Sequence, residues 1–448
     1  MIIVEIVLEE LKLKPITFDR YRNALDNIDS ISYTGEVTQV IGLTIESRGP
    51  LVQLGEVCLL YNYKRNQAIK AEVVGFKEDR VLLMPLGDIQ GIGPGSLVES
   101  THRSLRVPVG DELIGRVLDG LGNPMDGKEP ILNPKWVPID NSPPNPLERK
   151  RITEPLTLGI KAIDGLLTCG KGQRLGIFAG SGVGKSTLLG MVARNTEADV
   201  NVIALIGERG REVRDFLQKD LKEEGLKRSV LVVATSDQPA LIRAKAPFVA
   251  TAIAEYFREK GLNTLLMMDS LTRFAMAQRE IGLAIGEPPV ARGYTPSVLA
   301  QLPKLLERAG NSSKGSITGL YTVLVDGDDF NEPISDTVRG ILDGHIVLSR
   351  DLANSNHYPA IDVLASVSRV MPDLIDKEHL QKAGRIKTLM ATYRESQDLI
   401  NIGAYSPGSN ADIDEAIEKM PAIRQFLQQL VEEKYDMDTT IKWMSRIV

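Results

Sequence analysis

The chain has 448 residues, 43% hydrophobic and 25% charged, the proportions of an ordinary soluble globular protein too long for a single core, so two or three domains are expected. Its net charge of −6 argues against nucleic acid as the main partner, because a phosphate backbone demands clustered Lys and Arg. Cys58 and Cys169 are too few for a disulfide framework and fit a cytoplasmic setting, and His102, His345, His357 and His379 are too scattered for structural zinc.

The N-terminal segment, residues 1–29, begins with an apolar stretch interrupted by acids and without a basic flank. It is neither a signal peptide nor a membrane span, since no apolar run approaches about 18 residues. Val4, Val7, Leu8 and Leu11 fall at helical spacing before Pro15. The result is a short amphipathic helix, suited equally to docking a partner or to packing on its own chain.

Residues 30–98 change texture. Short β-rich runs (Gly35–Ile45, Leu51–Leu60, Ala68–Phe76, Arg80–Pro85) alternate with turn residues, which predicts a small closed β-barrel ending at the glycines 91, 93 and 95. Residues 99–370 form the next unit. It opens with turn-rich residues 115–127 and Pro-rich residues 142–146. Apolar strands (Val200–Ile206, Ser229–Ala234, Thr264–Met268, Ile317–Val325, Gly344–Ser349) then alternate with helical patterns (Ser186–Arg194, Glu212–Leu221, Pro239–Lys260, Ser297–Ala309). That order predicts an α/β fold with a mostly parallel sheet. From 371 to 448 the strands stop. Ile386, Leu389, Met390 and Tyr393, then Ile423, Phe426, Leu427 and Leu430, keep the helical period, so the tail is a helical domain.

The chemistry concentrates in residues 174–187. The run Leu175–Phe178 reads as a buried strand, Gly180-Ser181-Gly182-Val183-Gly184 as a loop, and Lys185-Ser186-Thr187 as the opening of a helix. Small residues let successive N–H groups point at phosphate oxygens, and the helix N-terminus adds partial positive charge. Lys185 is placed to reach the β- and γ-phosphates of a nucleoside triphosphate such as ATP, and the Ser186 hydroxyl to ligate Mg²⁺. Ala179 stands where the strict pattern has Gly, a small departure.

Two further strand ends carry acids. The run Thr264–Met268 ends in Asp269, which is placed to serve the Mg²⁺ shell through a bound water. The run Val202–Ile206 is followed by Gly207-Glu208-Arg209, where Glu208 either polarises the attacking water or belongs to a solvated turn with alternating charges; the residues alone favour the turn. The acidic run 326–333 departs from the calcium-loop template, with Phe330 and Asn331 at its fifth and sixth positions, and reads as a polar turn.

Taken together, Ala179–Thr187, Gly207–Arg209, Leu265–Arg273, Gly286-Glu287-Pro288-Pro289 and Tyr358-Pro359-Ala360 resemble the catalytic subunits of rotary ATPases, from about residue 30 to the C-terminus. The runs 293–298, 327–329, 331–333 and 341–350 are similar to those of type III export ATPases, and Asn401–Tyr405, Gly408 and Ile413–Ile417 to the flagellar branch. The resemblance implies a P-loop (RecA-like) core between an N-terminal barrel and a C-terminal helical domain, and Mg²⁺-dependent ATP hydrolysis driving export of flagellar proteins. Lys185 is then the phosphate lysine, Glu208 the catalytic carboxylate with Arg209 beside it, and Tyr358 the adenine-stacking ring with Tyr405 closing that pocket. Arg369 is the finger acting on the neighbouring subunit's nucleotide.

The resemblance also implies a homo-hexamer, peripheral to the inner-membrane export apparatus and its gate. A stalk or regulator protein would dock at the N-terminal helix, and export substrates or their chaperones would be handled. A chain carrying both Glu208 and Arg369 can build identical sites at every interface of a ring.

Other functions share parts of this pattern. A virulence-type (injectisome) export ATPase or a rotary ATP synthase subunit would keep the chemistry. A ring helicase would need a basic, aromatic barrel, whereas residues 31–98 hold six Lys or Arg against seven acids.

Overall fold

The computed structural model describes Phe18 and residues 33–64, 67–325 and 332–448. The expected helix over Val4–Leu11, the acidic turn from Asp326 to Asn331 and the family-like motifs within it lie outside these residues.

Six strands open the described chain: β1 (Thr34–Ile41), β2 (Thr44–Arg48), β3 (Glu56–Tyr61), β4 (Ala68–Lys77), β5 (Arg80–Pro85) and β6 (Leu97–Ser104). They close into a barrel in the order β1-β2-β5-β4-β3-β6, with β6 returning to β1. The run Gly35–Ile45 is two strands, because Gly42 adopts a left-handed φ of 56° that folds it into a hairpin. The last strand continues past residue 98, alternating buried and half-buried side chains up to Thr101. Val37, Ile45, Leu60, Val73, Leu83 and Val98 fill the interior.

The turn-rich segment that follows contributes β7 (Arg106–Val109), β8 (Val117–Asp119) and β9 (Lys135–Pro138). Strands β7 and β9 pair with each other, while β8 joins the edge of the main sheet beside Leu231–Val233.

Along the core the order is α1 (Lys161–Leu166), β10 (Arg174–Ala179), α2 (Lys185–Asn195), β11 (Val200–Ile206), β12 (Ser229–Ala234), α3 (Ala240–Glu259), β13 (Asn263–Asp269), α4 (Leu271–Ala284) and α5 (Pro296–Leu306). Then come β14 (Gly310–Asn311), β15 (Ser316–Leu324), α6 (Pro333–Ile341), β16 (Gly344–Leu348) and β17 (Ile361–Ser368). The sheet runs β17-β16-β10-β15-β13-β11-β12-β8, parallel throughout except for β17, with short β14 antiparallel on β15. Each central strand is buried on both faces, as continuous apolar runs such as Val200–Ile206 require. One face is covered by α3, α4 and α5, the other by α1, α2 and the C-terminal helices. The expected helix over Glu212–Leu221 is Gly210–Asp215 continuing into a π-helical turn, Phe216–Leu221.

The tail is helical: α7 (Lys377–Asn401), α8 (Ala411–Leu427) and α9 (Met437–Ile447), capped by Asp376, Asn410 and Asp436. It is seated on the core. A Cβ on Gly165 would lie 2.9 Å from Met444 Sδ and 3.0 Å from the Phe426 ring, so only glycine lets the tail approach α1 this closely.

Between α3, the end of α5 and the segment after β9 lies a buried ion pair. Arg308, 1% exposed, donates to Glu255 from Nε (2.8 Å) and Nη2 (2.7 Å), and from Nη1 to the Ile139 carbonyl at 2.6 Å. Asn141 Nδ2 donates to the same carboxylate at 2.8 Å. Glu255→Ala leaves the guanidinium buried and uncompensated, so urea unfolding should show a loss of about 3–5 kcal/mol. A loss within about 0.5 kcal/mol, typical of surface sites, would contradict this account.

Candidate active site

Strand β10 has parallel neighbours on both sides, β15 and β16, and it delivers the loop Gly180–Gly184 at the C-terminal edge of the sheet. Gly182 (φ 79°) and Gly184 (φ 89°) take left-handed conformations, turning the backbone into the first turn of α2. Val183 is buried and anchors the loop, whereas Ser181, Gly182 and Ser186 face solvent.

Lys185 projects from the start of α2 onto two carboxylates. Its Nζ contacts Asp269 Oδ1 and stands 3.8 Å from Glu208 Oε1. Asp269 is the last residue of β13; Thr322 of β15 donates to its Oδ1 at 2.7 Å. Glu208 follows β11 across Gly207, whose φ of 68° turns the chain while its N–H donates to the Ala234 carbonyl at 2.6 Å. The Ser236 N–H donates to the Glu208 carbonyl at 3.0 Å, which fixes this corner against the end of β12.

Glu208 Oε1 is buried without a hydrogen-bond partner. Burial first, and the Asp269 charge second, push the Glu208 carboxyl from 4.5 to about 7 against the opposing pull of Lys185. Glu212, which accepts a hydrogen bond from the Glu208 carboxyl, is lowered. Beside them Arg273, in the first turn of α4, packs its side chain where a Cβ on Gly207 would fall, 2.9 Å from Arg273 Cβ, and leaves Nε buried without a partner. Arg273 ends the Leu265–Arg273 run noted in the sequence, four residues after Asp269, and it joins the site although the sequence alone gives it no role.

Next to the loop opens a cavity of about 640 Å³ lined by Gly184, Thr187, Leu188, Met191, Tyr358 and Gln428 among others. The Tyr358 ring lies so close that a Cβ on Gly184 would sit 3.4 Å from it. The Gln429 N–H, from the segment after α8, donates to the Tyr358 carbonyl at 3.0 Å, so the helical tail forms part of the cavity wall. The volume suits a nucleobase.

Three expected residues lie elsewhere. Tyr405 is not brought to this cavity: it sits in the turn between α7 and α8, its hydroxyl 3.0 Å from the Asn410 carbonyl and 2.9 Å from Asp414 Oδ1, where it ties the hairpin tip together. The Arg209 side chain is exposed and pairs with Glu212 at 3.7 Å. Arg369 follows β17, at the opposite edge of the sheet from the phosphate loop. Its N–H donates to Asp343 O at 3.0 Å, just before β16 and beside Arg174 at the start of β10. Five residue steps of β10 separate that edge from Ala179, about 17 Å. Lys185, Asp269, Glu208 and Tyr358 thus share one edge, and Arg369 the other.

A glycine loop that turns into a helix, with its lysine facing two carboxylates on neighbouring strand ends, is the arrangement of a P-loop ATPase. Known proteins agree. Residues 159–368 match the ATP synthase alpha/beta family, nucleotide-binding domain, residues 37–102 the beta-barrel domain of the same family, and residues 375–446 the T3SS EscN ATPase C-terminal domain.

The chain is 59% identical over 423 residues to the flagellum-specific ATP synthase of Bacillus subtilis (strain 168), covering 94% of this chain and 96% of that protein. It is 53% identical over 413 residues to the type 3 secretion system ATPase of Xanthomonas euvesicatoria, covering 92% and 93%. The assembled ATPase EscN of the enteropathogenic E. coli type III secretion system matches with a TM-score of 0.87 at 48% identity, over 92% of this chain and 99% of that one. The chain therefore belongs to the ATP synthase alpha/beta family, within its type III export ATPases, and it is an ATP-binding ATPase.

The raised Glu208 carboxyl makes stability depend on pH. Its folded pKa, about 7, lies above the unfolded 4.5, so the folded state holds the extra proton between these values and loses stability as pH rises through them. Glu208→Gln removes that loss. In nucleotide-free protein, the melting-temperature advantage of Glu208→Gln over the parent should be larger at pH 7.5 than at pH 5; an equal offset at both would refute the burial account.

Proposed function

We propose that the chain hydrolyses Mg²⁺-ATP to energise type III export of flagellar proteins, as a homo-hexameric ring in which Arg369 of one subunit completes the site of the next. The observation that carries this reading is the division of the sheet: Lys185, Asp269 and Glu208 converge at one edge, while Arg369 stands at the other, beside the start of β10, whose length is about 17 Å. Within its own chain Arg369 cannot touch the nucleotide that its own phosphate loop holds. A neighbour placed head to tail brings the two edges together.

In this reading the glycine loop from Gly180 and the helix start Lys185–Thr187 hold the triphosphate, and Lys185 neutralises phosphate charge in a pocket that excludes water. Tyr358 stacks on the base. Ser186, exposed at the mouth, and Asp269, through water, are the residues that would hold Mg²⁺, whose Lewis acidity would offset the phosphate charge. Glu208, anchored through its backbone and with an unpartnered buried oxygen, orients the attacking water and takes its proton.

Support for the flagellar branch is the 59% identity to the Bacillus subtilis flagellum-specific protein over nearly the full length of both chains. EscN is also known in complex with its central stalk EscO, which supports a stalk or regulator partner for this chain; our reading docks that partner at the N-terminal segment. No helix of the described residues is long and apolar enough to cross a membrane. Our reading places the protein in the cytoplasm, peripheral to the inner-membrane export gate, serving export substrates or their chaperones.

Two measurements test the chemistry. Lys185→Ala should lose hydrolysis and most nucleotide affinity while remaining folded; wild-type turnover would overturn the assignment. Glu208→Gln should still bind ATP while turnover falls about a hundredfold or more, whereas a collapsed Kd with turnover preserved at saturation would make Glu208 a binding residue. The biological role is read in the organism that carries the gene. Its deletion should abolish flagellar filaments, and intact filaments with lost effector secretion would move the chain to the virulence branch.

A further inference from the structure

Strand β10 ends in the phosphate loop, and its first residue grips the far edge of the sheet. Arg174 donates to Asp343 Oδ2 from its backbone N–H (3.0 Å) and Nε (3.1 Å), and to Oδ1 from Nη2 (3.2 Å). The Asp343 N–H returns a 2.9 Å bond to the Arg174 carbonyl, and Arg174 also pairs with Glu307. A planar fork on a carboxylate fixes direction as well as distance, which a lysine would not do.

What Asp343 holds in turn is the base of Arg369. The Asp343 carbonyl accepts the Arg369 N–H at 3.0 Å and Gln173 Nε2 at 3.3 Å. Gln173, fully buried, also donates to Ser368 Oγ at 3.0 Å, and Ser368 Oγ donates to the Thr168 carbonyl at 2.9 Å. The residues on either side of the Ser368–Arg369 peptide bond are therefore tied to β10 and the segment before it. The guanidinium is not. It is exposed and meets the Leu342 and Arg339 carbonyls, at the C-terminal end of α6, at 3.2 and 3.4 Å. The base is fixed and the tip is free to leave.

None of these groups faces the chain's own phosphate loop, yet they desolvate an amide, a hydroxyl and an ion pair around one peptide bond. We infer that Asp343, with Ser368 and Gln173, is a positioning residue for Arg369, setting the point from which the guanidinium reaches the neighbouring subunit's nucleotide. This inference rests on the reading of Arg369 as acting in trans. A finger whose root shifts by about 1 Å loses much of its contribution, because transition-state stabilisation depends on preset geometry.

The test uses assembled rings of Asp343→Asn, which keeps the shape but weakens the fork, and of Ser368→Ala, which removes one hydroxyl. Asp343→Asn should lower kcat about tenfold or more with the KM for ATP within about twofold, and Ser368→Ala should lower kcat by a smaller factor in the same way. Asp343→Glu, which keeps a carboxylate, should recover part of the loss.

Mixed rings then show which side of the interface is damaged. Asp343→Asn mixed with Glu208→Gln should exceed the sum of the two, because intact pockets meet intact fingers, whereas mixing with Arg369→Ala should give no gain. The reverse pattern, or wild-type kcat in both variants, overturns the positioning role alone. The control mixture of Glu208→Gln with Arg369→Ala reads the underlying proposal: if it stays silent although the chains co-assemble, the trans reading fails and this inference fails with it. Should Asp343→Asn not fold, Ser368→Ala decides by the same pattern.

Discussion

The site depends on one lysine held between two carboxylates where the sheet ends. Lys185, Asp269 and Glu208 come from three different βα turns, and only the parallel order of β10, β13 and β11, with β15 between the first two, sets those turns side by side. One cation and two acids cannot all be charged in a poorly hydrated corner at low cost. The conflict is resolved unequally. Asp269 has Lys185 and the Thr322 hydroxyl, while Glu208 has an unpartnered oxygen and a carboxyl raised to about 7. The acid with the better partners suits metal and phosphate, and the one with the raised pKa suits a proton in transit.

The same strand order explains why Tyr358, the glycine loop and the two carboxylates lie together although they are far apart in sequence. Tyr358 precedes β17, which runs antiparallel to β16, so the segment before that strand returns to the phosphate-loop edge and the segment after it, with Arg369, is carried to the opposite one. The tail completes the wall through Gln429, and its neighbours hold α2 as well: Arg194 Nη2 donates to the Val431 carbonyl at 2.7 Å and Asn195 Nδ2 to the Glu433 carbonyl at 3.3 Å. The helical domain is thereby joined to the C-terminal end of α2 and, through Tyr358, to the cavity beside its start.

Much of this was legible in the sequence. Runs such as Val200–Ile206 and Ser229–Ala234 coincide with their strands, because a strand buried on both faces leaves a continuous apolar signature. Strand β17 was not anticipated: at the sheet edge its burial alternates, and Asp362, Ser366 and Ser368 dilute its apolar signal. The split of Gly35–Ile45 turned on the conformation of Gly42, which composition does not report. In the site, a glycine loop declares itself by spacing, so Gly180–Thr187 could be read directly. Arg273 and Gln429 could not, since each matters through a neighbour distant in sequence. Tyr405 shows the converse: a residue carried over by resemblance sits at a hairpin tip, where its hydroxyl has acceptors in the next helix.

The two edges also constrain assembly. A twofold dimer buries the same patch on both partners, so it could join Glu208 to a partner's Arg369 only if both lay on one self-complementary face. They lie instead at opposite edges of the parallel sheet, Glu208 just after the end of β11 and Arg369 beside the start of β10. An interface that sets one subunit's pocket edge against the next subunit's finger edge is heterologous. Such interfaces repeat until they close into a ring or extend without limit. Because each chain carries both edges, on the proposed reading every interface of a closed ring is a complete site, and no second type of subunit is needed to supply either half.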